Sequence, residues 1–178
     1  MSNIDQMQSE LEVCEMMTAG FAGALARFAK QIPLDKWNWS FSERTPTPRE
    51  ACEHAFLWMW CDRQQMTVPD RSQHRPTPEL PSDRDALIGM LEEEAEEWRM
   101  MIRGLKPEQL LDERESFGGE MRNLRGFLFH IGQQVIYKTG QMSVLYYGLG
   151  LDGGEPYAAA YPNGVYGFPG PKWPAPRA

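Results

Sequence analysis

The stretch Gly126–Gly150, GFLFHIGQQVIYKTGQMSVLYYGLG, decides how this chain is read. It is apolar over most of its length, with one polar ladder set into it. At about 100° per residue, His130, Gln134, Lys138 and Gln141 fall near 0°, 40°, 80° and 20° on a helical wheel. Phe127, Ile131 and Leu145 share that side, so an imidazole, two amides and an ammonium are predicted on a core-facing helix face. Burying such groups without partners costs roughly 1–3 kcal/mol each, and more for a charge. The ladder therefore marks a candidate pocket: His54, His130, Gln134, Lys138 and Gln141.

Three further helices precede it. Residues 4–32 repeat apolar side chains at spacings of three and four through Leu11, Cys14, Phe21, Leu25 and Phe28, and Pro33 ends the run. Thr47-Pro48-Arg49-Glu50 reads as a capping box with proline at the first helical position. The helix it opens, ACEHAFLWMWCDRQQM, is apolar almost all round, holds His54, and is predicted to be the most buried. Ser82 is read as the cap of a third helix, with Asp85 in the capping-box position. Leu87, Leu91, Ala95, Trp98 and Ile102 form its apolar stripe, and Glu92–Glu97 its solvated face. A connector with a helical turn at Pro107–Leu111 leads to the ladder helix, predicted over Met121–Leu149. No stretch alternates as a strand does. The expectation is an all-α, antiparallel four-helix bundle over residues 1–151 with one or two long crossovers. Residues 152–178 hold six prolines and five glycines, so they read as a non-helical tail, either a strap or flexible.

Composition narrows the partners. The net charge is −7 and the pI about 5.0, and Arg71/Arg75 and Arg122/Arg125 are the nearest approach to basic clusters, so no nucleic-acid partner is expected. No run of 18 apolar residues spans a membrane, and MSNIDQMQSE is no signal peptide, so the expected location is the cytoplasm. Cys14, Cys52 and Cys61 are odd in number and lack CxxC spacing, which argues against disulfides and structural zinc. His74 in its polar loop reads as solvated. His54 and His130 sit on two apolar helices and could share one pocket. Zinc or nickel needs three or four ligands, and a cationic Lys138 in their midst repels the ion. No cofactor is therefore expected, a divalent metal being the alternative.

The layout resembles the DinB-like / YfiT-like four-helix proteins over about residues 5–150. The resemblance rests on the Trp37/Trp39 loop before Thr47-Pro48-Arg49-Glu50, on His54, and on KTGQMSVLYYGLG at the end of the last helix. That family's pattern there is His-Arg-Gly-Gln, an apolar run, then Leu-Gly, and Thr139-Gly140-Gln141 and Leu149-Gly150 match its tail. The resemblance implies a divalent metal held by three histidines at the positions of His54, Gln134 and Lys138. Here only His54 is a histidine, which implies a degenerate, metal-free pocket with Lys138 donating to Gln134 and His54. It also implies a homodimer and two alternative functions. One is a small-molecule binder or structural protein. The other is a metal-dependent enzyme of the thiol-dependent S-transferase or isomerase type, with His54 joined by His130, Asp62, Glu53 or Cys61.

Overall fold

The computed structural model describes residues 10–151, so the tail lies outside the described residues. Four long helices make up the body. Helix α1 runs over residues 10–31, with a π turn at Met16–Gly20 before its last segment Phe21–Gln31. Helix α2 is Pro48–Thr67, α3 is Arg84–Gly104 and α4 is Leu124–Gly148. The chain is an all-α four-helix bundle. Alternation from apolar to polar at helical spacing gives each helix a buried stripe, and Leu25, Phe28, Met59, Leu91, Trp98, Leu128 and Ile131 meet in one core. Burying such a side chain stabilises by about 1.5–3 kcal/mol.

The capping box at Thr47 forms as the sequence requires. Glu50 N–H donates to Thr47 Oγ1 at 3.1 Å, and Thr47 N–H donates to Glu50 Oε2 at 2.8 Å. The third helix starts one residue later than expected. Asp83, not Ser82, is its cap, and its carboxylate accepts from Ala86 N–H at 2.8 Å. A carboxylate also suits the positive end of the helix dipole better than a hydroxyl does. The last helix begins at Leu124 rather than Met121, because Asn123 caps it by accepting from Gly126 N–H at 2.9 Å. Met121–Asn123 (β2) instead pairs antiparallel with Glu113–Glu115 (β1), a small ribbon with no alternation to announce it in three-residue strands. The Pro107–Leu111 turn is present as a 3-10 helix.

Ion pairs fix the helix directions. Arg125 binds Glu10 bidentately and Tyr146 Oη donates to Gln31, so the starts of α1 and α4 meet and so do their ends. Arg84 donates to the Ile32 carbonyl and Arg103 binds Glu15, so α3 runs against α1. Asp62 faces His130, and His54 faces Gln134 and Lys138, so α2 runs against α4. The bundle is thus antiparallel across α1/α3 and α2/α4, while α2 and α3 run the same way. A parallel pair needs a long return, and residues 68–83 supply it. Gln64 holds that return in both senses, donating to the Arg75 carbonyl at 3.3 Å and accepting from Arg75 N–H at 2.7 Å. The Arg75 guanidinium lies 4.4 Å over the Trp60 ring. His74 in the same segment is half-buried and bonds the Val68 carbonyl at 2.8 Å.

Candidate functional site

A cleft of about 500 Å³ opens where the start of α2 meets the second half of α4, a volume typical of small-molecule sites. The capping box sets its rim, because it turns Thr47 and Glu50 into the helix and leaves Glu43–Pro46 as an overhanging loop. His54, one turn beyond Glu50, points into it from α2. Lys138 and Gln141 enter from α4. The loop is pinned above α4 by an aromatic contact. Phe41 packs edge-on to Trp39, with ring centroids 4.6 Å apart, and lies so close to Gly148 that a Cβ there would overlap its ring.

Lys138 is the cleft's central group. It is buried, with 8% of the residue exposed, and its ammonium donates to Gln141 Oε1 at 3.0 Å. It makes no ion pair among the described residues. Burial lowers its affinity for the proton, and the Glu50 carboxylate acts in the opposite sense. Burial also pushes His54 below its ordinary value, the Lys138 charge pushes further, and a hydrogen bond with Gln134 pulls back. The neutral imidazole beside a cation is the consequence.

The five candidate pocket residues do not converge on one pocket. His54, Lys138 and Gln141 line the cleft, and half-buried Gln134 reaches His54. His130 leaves it. Its Nδ1 sits 2.6 Å from Asp62 Oδ2, and Asp62 is 2% exposed. Gln65 donates to the other carboxylate oxygen at 3.1 Å. Burial raises the Asp62 carboxyl, and the His130 contact is the main opposing influence. Trp58 touches both imidazoles, with centroid distances of 6.0 Å to His54 and 5.3 Å to His130. The expected bonds from Lys138 to Gln134 and His54 are replaced by the bond to Gln141, three residues on along the same helix.

A search of solved structures finds the same architecture in a crystal structure of a DinB-like protein, YjoA, from Bacillus subtilis. The TM-score is 0.63 at 16% sequence identity, over 78% of this chain and 92% of that one. The chain has a DinB-like fold. No protein-family model matches the sequence, and no curated protein matches it either.

Within this DinB-like bundle, the groups that could ligate a cation are placed as follows. Among the described residues no group of three or more His, Cys, Asp or Glu is placed to hold one. Glu53 lines the cleft, but Arg49 holds it at 2.6 Å. Asp62 is committed to His130. Burial raises the Cys61 thiol, and Asp62 and Glu94 raise it further, so it is not a thiolate at neutral pH. Cys14 is pushed up to about 11, again by burial first. Among the described residues no helix is long and apolar enough to cross a membrane.

Sequence reasoning missed the loop wall, Glu43–Pro46 with Phe41, and the role of Glu50 at the cleft. Glu50 could have been found, since it lies four residues before His54 and shares its helix face. The loop wall had no periodicity to reveal it. Asp62 was named from the sequence as one group that could join His54 and His130, and the structure places it against His130.

Proposed function

We propose that the cleft binds a small organic molecule without a metal ion, the Lys138 ammonium standing where the DinB-like resemblance places a divalent cation. The single observation supporting this is a buried ammonium beside His54 whose one hydrogen-bond acceptor among the described residues is the neutral Gln141 amide. Two unit charges 4 Å apart interact by about 4 kcal/mol at an effective dielectric constant of 20, and a divalent ion doubles that repulsion. An anionic or carbonyl group on a ligand, by contrast, supplies what Lys138 lacks. The protein is proposed to work in the cytoplasm as a homodimer, with exposed Phe129 and Tyr147 offering apolar contacts on α4. Gel filtration at about twice the 20.4 kDa chain mass supports pairing, and a monomer mass counts against it.

Elemental mass spectrometry on protein purified without a metal-affinity tag tests the central claim. The expected result is no stoichiometric zinc, nickel or iron. Stoichiometric metal that disappears in His54→Ala would overturn it and favour a metal-dependent, thiol-transfer enzyme with replacement ligands. The converse variant sharpens the test: Gln134→His with Lys138→His should gain zinc or nickel binding by calorimetry. A folded double variant that binds neither ion would mean that Lys138 does not replace one.

A further inference from the structure

Beside the polar cleft runs a second, apolar groove of about 370 Å³. Tyr137, Gly140 and Val144 of α4 form its floor, and Phe41 with Pro46 of the overhanging loop forms its wall. Tyr137 and Val144 are each 61% exposed, which is unusual for two large apolar residues on one helix face. The groove and the cleft are continuous, since Thr45, Pro46 and Gln141 line both. Gln141 is the junction, and its amide oxygen is the one that holds Lys138.

The charges at the polar end are unequally committed. Glu53 is paired with Arg49, whereas Glu50 accepts from the Thr47 N–H, keeps its charge and acts on Lys138. Lys138 and Arg44 have no ion-pair partner among the described residues, and Glu43 is the one lining carboxylate without a bond. Glu43 and Glu50 are both exposed at the rim, where water screens them, whereas Lys138 is buried. The electrostatic demand deep in the cleft is therefore for an anion. The groove leading from it demands an apolar chain.

We propose that the site takes an amphipathic carboxylate, its head on Lys138 and Gln141 and its hydrocarbon chain along Tyr137, Gly140 and Val144. This rests on the reading of the cleft as a ligand site and names the class of ligand. Gly140 gives the chain its bed: a Cβ built there meets nothing within 4 Å, so a side chain at this position fills the groove without disturbing the core.

The test is isothermal calorimetry of the full chain with acetate, hexanoate and decanoate, and with decylammonium as the charge-reversed control. Affinity should rise roughly threefold to fourfold per methylene until the groove is full, following the transfer of apolar surface from water. Lys138→Met should weaken every carboxylate at least tenfold. Gly140→Leu should abolish the dependence on chain length and leave short carboxylates unaffected. Lys138-dependent binding that ignores chain length would overturn the groove and leave the cleft reading standing. No binding of any carboxylate would overturn both. Decylammonium binding more tightly than decanoate would overturn the assignment of charge. If Gly140→Leu instead lowers the mass on gel filtration and changes no affinity, the groove is covered by a second copy, and the proposal fails.

Discussion

The seam between α2 and α4 holds two histidines less than three turns apart, and they have opposite surroundings. His130 is closed off by a buried carboxylate, which its ring meets at 2.6 Å. His54 faces a buried ammonium that makes no ion pair among the described residues, with only the exposed Glu50 carboxylate acting on it from the rim. A helix pair can thus use the same residue type as a clamp at one end and as part of an open site at the other. The neighbouring charge decides which. The clamp ties α2 to α4 at one end of the seam, and the cleft lies toward the other.

The sharpest way to break this contrast is to remove the clamp. Asp62→Ala leaves a half-buried imidazole without its partner. Truncating one member of a fully buried pair costs about 3–5 kcal/mol. With the His130 side chain 26% exposed, solvent screens part of that, so a loss of about 2–3 kcal/mol is expected in urea unfolding. A loss below about 1 kcal/mol would mean that the clamp does not hold the seam. A smaller change at the other end is Thr47→Ala, which removes the cap and frees Glu50 from it. About 1 kcal/mol is expected, together with weaker binding at the cleft and no change at His130, read from its ring resonances by NMR.

The smallest effect is a difference in pH dependence. His54 is depressed below 6.5 when folded, so its contribution is present above 6.5 and is lost as the pH falls through its folded value. Asp62 is raised above 3.8, so its contribution is present below 3.8 and is lost as the pH rises through its folded value. His54→Gln should flatten the acid limb of the stability curve, and Asp62→Asn should remove the decline on the other side. Urea midpoints between pH 4 and 8 check both, and variants that bend the curve the same way would contradict the contrast.

Helices α1 and α3 were legible because each buries one stripe, which periodicity reports directly, while α2 and α4 were legible as long, largely apolar runs between turn signals. The Thr47 box was legible for a similar reason, since both hydrogen bonds are local in sequence. The ribbon of β1 and β2 was not, because three residues carry no period. The site was half legible. His54, Lys138 and Gln141 could be placed on helix faces, and a wheel puts them near one another. The same wheel put His130 beside them, because it holds no information about which partner the facing helix offers. Asp62, 68 residues away in sequence, settles that, and so does the Phe41 loop for the cleft wall.

The parallel course of α1 and α4 bears on how the chain is made. The Glu10–Arg125 and Gln31–Tyr146 contacts each join residues 115 positions apart. During synthesis the first helix emerges long before the partner it must lie beside. Until α4 is made, the apolar residues of α1 and α2 that pack on it lack that neighbour, and α1 with α4 is the pairing of longest sequence separation in the bundle. The arrival of α4 supplies the missing neighbour and brings Lys138 to His54, so the bundle and the cleft are completed by the same helix.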